Sequence, residues 1–387
     1  MTSPGTPTRP IVDLSDEQAR RALILKWGEA EPDVLPAWVA EMDYALDPVV
    51  AAALSRAIAD GVTGYPAFGN TAALGDAYAG FAERHFGWQI DASWVLPTCD
   101  VTAGVRIALD VLSDPGPVVL PVPAYHPQLD VAELTGRVRV DLPLDPDAEK
   151  AELDLDALDA LLAAGARTVI LTQPHNPWGR AFSRAELEGL RDVVVARGAR
   201  VISDEIHAPL VLPGAEHVPY LSLPGTADHA VAVVAASKAF NTAGLRCAQL
   251  VAGDDATRDR LWDVPLARND SYSPLGVIGA IAAYTGGDGW LASLVQRLDS
   301  QRTLLMRLLA EHLPKVRMRP LEATFLPWLD ARAYGHDDPC EVALRRQRVL
   351  ASPGHLYSPG LPGHLRLNIA TSPERLTIIV QRLAAAW

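Results

Sequence analysis

The chain has 387 residues, 49% of them apolar and 21% charged, with a formal net charge of −13. That length holds two domains and a large core, and the acidic balance argues against nucleic acid as a partner, because phosphate backbones require a basic face. Its longest apolar runs, such as 230–236, are far too short to span a bilayer, and its three cysteines (Cys99, Cys247, Cys340) are too widely spaced for a CxxC metal site or a disulfide framework. No signal peptide is expected at either end, so a soluble, cytoplasmic protein with no membrane partner is expected.

Residues 1–10 mix Thr, Ser, Pro and Gly and are expected to form a mobile tail. Helical apolar spacing follows over 48–58 and 71–85, and Asp47-Pro48 has the form of an N-cap with proline at the first helical position. In the middle third, short β-rich runs at 117–122, 137–142, 167–172, 199–203 and 230–236 alternate with helix-like stretches such as 183–197. This alternation predicts an α/β fold with a mostly parallel sheet and helices on both faces. The periodic stretch 291–313 predicts a long helix. Beyond it, strand signals at 324–329 and 365–369, a helix over 339–348 and a closing helix from Ser372 predict a smaller α+β domain. Three parts are expected: an N-terminal arm contributing to the small domain (1–45), a large domain (46–285) and a C-terminal small domain (286–387).

In open α/β sheets, ligands bind beyond the carboxyl ends of the strands. Three such ends here carry reactive polar residues. The first leads to Asn176, in Asn-Pro-Trp-Gly, which either shapes a turn or offers an amide to a ligand. The second ends in Asp204-Glu205, a pair able to cap a helix, bind a metal or face a cation. The third places Lys238 directly after an apolar run, and Lys238 is one of only four lysines, with Lys26, Lys150 and Lys315. A lysine there either snorkels to solvent or sits neutral in a dry pocket, where it can react with an aldehyde. Taken together, a lysine for an aldehyde, a carboxylate for a cationic ring nitrogen and an amide for a phenolate oxygen suit pyridoxal 5′-phosphate. Ser237 and Arg246 flank the lysine and suit its phosphate.

The chain resembles the fold-type I pyridoxal phosphate enzymes of the class I/II aminotransferase superfamily, and within it the cystathionine β-lyase (C–S lyase) branch, the MalY/PatB group. The likeness is carried by Lys26-Trp27, the 35–44 segment with Trp38 and Tyr44, Gly64-Tyr65-Pro66, and the 121–125 segment ending in Tyr125. It continues through the 174–180 segment, Ser203-Asp-Glu-Ile-His207, Ser237-Lys238-Ala-Phe-Asn241 and Leu365-Arg366-Leu-Asn368. It covers roughly residues 20–385 and implies an aspartate-aminotransferase-like fold.

The resemblance further implies that Tyr125 stacks on the cofactor ring and that His207 belongs to the cofactor site. Tyr65 would reach the phosphate of a neighbouring subunit, giving a homodimer with active sites at the interface. Arg366 would grip the carboxylate of a small amino-acid substrate. The loop 97–102 corresponds to the family's phosphate loop, so the backbone N–H groups of Asp100 and Val101 are expected to bind phosphate at a helix start. Relatives usually have Pro-Gly-Val where this chain has Cys99-Asp100-Val101, and an aspartate suits such a place only if its side chain turns away to cap the helix. Arg246 follows the general aminotransferase pattern where the lyase branch often has Gln, and Trp178 stands where a smaller residue is usual. Trp38, Tyr44 and Trp178 are candidates for the substrate pocket and equally for ordinary core packing. The expected activity is a carbon–sulfur β-lyase acting on cystathionine or another cysteine S-conjugate. The alternative is an aminotransferase, which would use the same residues.

Overall fold

The computed structural model describes residues 8–68, 71–145, 147–358 and 360–387. Most of the tail expected over 1–10 lies outside the described residues. Seven strands form the central sheet: β1 (Val95–Thr98), β2 (Val118–Val122), β3 (Arg139–Pro143), β4 (Thr168–Thr172), β5 (Arg200–Asp204), β6 (Ala230–Val234) and β7 (Ala248–Ala252). Their order is β1-β7-β6-β5-β4-β2-β3, parallel from β6 to β3, with β7 antiparallel to both of its neighbours.

The strands are near-continuous apolar runs because both faces of the sheet are covered. Their side chains alternate between the faces. Ile170, Ile202, Val231 and Val233 pack beneath the helix Val101–Leu112. Val169, Leu171 and Val201 meet Leu158, Leu162, Leu187, Leu190 and Val194 of two helices on the other face. The helix Val101–Leu112 lies so close to the sheet that a Cβ added at Gly104 would sit 2.6 Å from Val233 Cγ1. Glycine is what allows this approach.

The Asp47-Pro48 signal opens the helix Pro48–Ala59, with Asp47 Oδ1 accepting from the Val49 amide at 3.0 Å. The other helices expected near the start and middle run over Ala72–Phe86 and Arg184–Ala196. Strands β1 and β7 carry weaker signals; in β7 the polar Gln249 interrupts the apolar run and accepts from the Tyr284 hydroxyl at 2.7 Å.

The long helix spans Asp288–His312 and packs against the closing helix Pro373–Ala386, whose N-cap is Ser372. An antiparallel four-stranded sheet accompanies them, in the order Ser352–Pro353, His364–Arg366, Trp328–Asp330, Arg317–Met318. Two strand signals shorten here for a definable reason. Thr324 takes a positive φ of 71° and donates its amide to Leu210 O, so the regular strand begins only at Trp328. After Arg366 the regular strand ends: Leu367 and Ile369 still donate to Pro327 O and Phe325 O, while the amide of Asn368 donates to Ala37 O. The N-terminal arm is thus bound to this region, and Leu35–Pro36 pairs in parallel with Val349–Leu350.

Candidate active site

The parallel strands deliver Lys238, Asp204 and Asn176 to one side of the sheet. Asp204 is the last residue of β5, Lys238 lies just beyond β6, and Asn176 lies just beyond β4. With Tyr125, His207, Ser237, Arg246, Asp100 and Val101 they line a single cavity of about 170 Å³.

Lys238 Nζ donates to the carbonyl of Ala40 at 3.1 Å. That carbonyl is held in place by a set of clamps on the N-terminal arm. Asn241 pairs with both backbone groups of Met42, each at 2.9 Å, and Asn368 Nδ2 donates to the carbonyls of Val39 and Glu41 at 2.5 and 2.7 Å. Beneath them, Lys26 Nζ meets Asp43 Oδ1 at 2.8 Å, and Trp27 Nε1 donates to the same oxygen at 2.7 Å. Burial, reinforced by Arg366, brings the Lys238 pKa down to about 8, against the opposing pull of Glu41 and Asp204. A fraction of this amine is therefore neutral at neutral pH.

Asp204 is buried, and no cationic side chain among the described residues is hydrogen-bonded to it. Its Oδ2 accepts from Gln128 Nε2 at 2.6 Å and its Oδ1 from the Ile206 amide at 3.2 Å. Thr172 Oγ1 in turn donates to Gln128 Oε1 at 2.9 Å, which orients the amide. Burial pushes the Asp204 pKa up to about 7, so a cation brought against it would be strongly favoured. Glu205 points the other way, accepting from Ser203 Oγ at 2.8 Å and the Tyr220 amide at 2.9 Å, with His217 Nε2 at 3.1 Å. The adjacent carboxylates have separate roles: Glu205 is a core anchor.

Arg366 is buried with no carboxylate against it among the described residues. Nη1 donates to Asn176 Oδ1 at 3.3 Å and Nη2 to the Trp38 carbonyl at 2.9 Å, while Nε has no partner. Its guanidinium lies 4.9 Å from the centre of the Tyr357 ring. A buried guanidinium with a spare donor is a receptor for an anion, and a carboxylate fits its planar fork. Among the described residues His207 Nδ1 is likewise buried without a partner, and burial brings its pKa down to about 3, so it is a neutral imidazole.

At the far end of the cavity, Asp100 caps the helix Val101–Leu112, its Oδ1 accepting from the Ala103 amide at 2.7 Å. Its Oδ2 lies 2.5 Å from Arg246 Nη2. The side chain therefore caps the helix and also takes up the arginine.

The remaining expected residues lie apart from the cavity wall. Tyr65 is 93% exposed. Tyr44 is a core residue, 1% exposed, whose hydroxyl donates to Thr371 O at 3.0 Å, so the structure removes it from the substrate pocket. Trp178 is removed as well. Its ring packs with Leu144 and Ala151 under the Arg319 guanidinium at 3.9 Å. The reason is the turn after Asn176: the His175 amide donates to Arg180 O at 2.6 Å, and Gly179 takes a φ of 66° where a Cβ would meet Leu321 Cδ1 at 2.3 Å. Trp38 contributes its backbone carbonyl to Arg366, while its indole N–H donates to Lys26 O at 3.2 Å. Gln128, Asn241, Asn368 and Tyr357 also shape the site, by contacts that the sequence does not announce. Asn241 and Asn368 lie inside the motif segments, but an amide or a phenol carries no reactivity that marks it in a sequence.

The family model for aminotransferase class I and II matches residues 33–383. The cystathionine β-lyase of Corynebacterium glutamicum is 33% identical, over 95% of this chain and 98% of the relative. Cystathionine β-lyase PatB of Bacillus subtilis is 32% identical over 92% of each chain. Among solved structures, the pyridoxal-phosphate-bound C–S lyase of Staphylococcus hominis is similar with a TM-score of 0.85 and 25% identity, over 92% of this chain and 91% of its own.

Proposed function

The chain belongs to the class I and II aminotransferase family, and we propose that it is a pyridoxal-phosphate carbon–sulfur β-lyase acting on cystathionine or another cysteine S-conjugate. The observation that carries this is the convergence of Lys238, Asp204 and Asn176 on one cavity with the anion receptor Arg366 bonded to its rim. The residues fit the cofactor on independent grounds. Among the described residues, Asp204 is a buried carboxylate held only by neutral hydrogen-bond donors, His207 offers an unpartnered ring nitrogen, and Lys238 is an amine of lowered pKa.

Lys238 would hold the cofactor's aldehyde, Asp204 its ring nitrogen, Asn176 and His207 the phenolic edge and Tyr125 the ring face. Ser237, Arg246 and the backbone of Asp100 and Val101 would take the phosphate. When bound, the cofactor supplies an electron sink for the pair released at the substrate α-carbon. Arg366 orients the α-carboxylate, and Asn176 links that grip to the cofactor's edge. The Lys238 amine is the base that would take the α-proton. Its pKa of about 8 leaves it basic enough to accept the proton and still partly neutral. The overall reaction would consume one water and give the thiol, pyruvate and ammonia, with the α-proton held on Lys238 passing to the leaving sulfur.

Tyr65, exposed on one chain, suits contact with the phosphate of a second copy, so a homodimer sharing its active sites is part of the proposal. A cytoplasmic setting agrees with three unpaired cysteines. No helix among the described residues is long and apolar enough to cross a membrane.

The test is pyruvate release from cystathionine with no keto acid added. Turnover under those conditions supports the lyase. An absolute requirement for a keto acid, with the amino form of the cofactor accumulating, would establish the aminotransferase instead, a reading that Arg246 favours.

A further inference from the structure

At the phosphate end of the cavity, one carboxylate has already engaged the cation that the cofactor would need. Arg246, in a left-handed conformation with φ of 54°, places Nη2 2.5 Å from Asp100 Oδ2 and 3.9 Å from Cys99 Sγ. Asp100 is itself fixed: its other oxygen takes the Ala103 amide at 2.7 Å and its carbonyl takes the Gly104 amide at 2.9 Å. Asp100 therefore uses two groups that serve anions, a guanidinium and one of the orphan donors at a helix start.

We infer that Asp100 is a positioning residue that competes with the cofactor phosphate for Arg246, holding the arginine in place when the cofactor is away and loosening the cofactor when it is present. The inference rests on the cofactor assignment proposed above. A carboxylate beside a phosphate dianion is repulsive, and the pair Asp100–Arg246 has no net charge where an arginine alone would present one positive charge. The phosphate must then be held mainly by neutral donors, the helix-start amides and the Ser237 hydroxyl. The consequence is a cofactor that exchanges more readily than it would with a neutral residue at position 100.

The experiment compares wild type with Asp100→Asn and Asp100→Ser, both of which keep an N-cap acceptor. Thermal midpoints of the cofactor-free proteins check that both variants fold. Dissociation constants are measured on cofactor-free protein for pyridoxal phosphate, for pyridoxal lacking the phosphate, and for inorganic phosphate as a competitor. Both variants should bind pyridoxal phosphate and inorganic phosphate about tenfold more tightly, equivalent to ~1.4 kcal/mol, with no gain for pyridoxal. Adding Arg246→Ala to Asp100→Asn should erase that gain. Unchanged or weaker phosphate binding in both folded variants overturns the inference, as does an equal gain for pyridoxal. If wild type binds no pyridoxal phosphate at all, the cofactor assignment itself fails, an outcome distinct from the other two.

Discussion

Gln128 donates to the buried carboxylate of Asp204 at 2.6 Å, and its own orientation is set by Thr172 at the end of the neighbouring strand. The carboxylate that would face the ring nitrogen is therefore held by a neutral amide on the helix directly after Tyr125. No cationic side chain among the described residues is hydrogen-bonded to it, so a cationic ligand atom would favour its ionised form.

Replacing Gln128 by Ala should leave one Asp204 oxygen buried without its donor, at a cost of ~1–3 kcal/mol to the ionised form. Pyruvate release should show kcat lowered about tenfold, with KM little changed, because the loss falls on the electron sink and not on carboxylate binding. An equal rise in KM with kcat intact would contradict the role given to Gln128.

The folded pKa of Asp204, about 7, lies above its ordinary value of 3.8 because of burial. Folded protein thus holds this proton more tightly than the unfolded chain, and the group's contribution to stability falls as pH rises from about 4 to about 7. His207 and His175, both lowered to about 3 by burial, act in the opposite sense as pH rises. Denaturant unfolding of cofactor-free wild type and Asp204→Asn across this window isolates the aspartate. The stability of wild type relative to the variant should decline toward neutrality, and a constant difference would show that the carboxylate is not titrating there.

Lys238 should be the site of covalent attachment. Borohydride treatment of the cofactor-loaded protein, followed by peptide mapping, should place the reduced adduct on Lys238 and not on Lys26, Lys150 or Lys315. Lys238→Ala should lose the adduct and lower turnover by about 10²–10⁴, the usual contribution of a positioned base.

Lys26 provides the contrast. It is fully buried against Asp43, which also meets Arg375 Nη1 at 3.3 Å. Lys26→Met should destabilise the chain by ~1–3 kcal/mol, because one buried hydrogen bond to Asp43 is lost while Arg375 and Trp27 continue to hold the carboxylate. A denaturation midpoint equal to that of wild type would refute this.

Arg366→Lys keeps the charge but loses the planar fork that reaches Asn176 and the Trp38 carbonyl together. The KM for the amino acid should rise about 10- to 100-fold, corresponding to ~1.4–3 kcal/mol. Stability should fall less than in Lys26→Met.

Much of this arrangement was legible before any tertiary structure. Short, near-continuous apolar runs mark β4, β5 and β6, and each leads to a residue whose chemistry stands out by type: Asn176, Asp204 and Lys238. Parallel pairing obliges those ends to meet on one side of the sheet, so their convergence follows from the local pattern. Reactive type and strand position are local properties, and a sequence carries them directly.

Other features were decided only by packing over long separations. The Ala40 carbonyl reaches Lys238 because Asn241 and Asn368, far apart in the chain, both clamp residues 39–42. Gln128 acquires its role only by lying against Asp204, and Tyr44 and Trp178 are turned into separate cores by partners distant in sequence. Amides and aromatics are chemically neutral, so what they do depends on what the fold sets beside them. Lys238 could be singled out by its own chemistry, while the shape of the pocket around it was determined by neutral side chains that only the folded chain brings together.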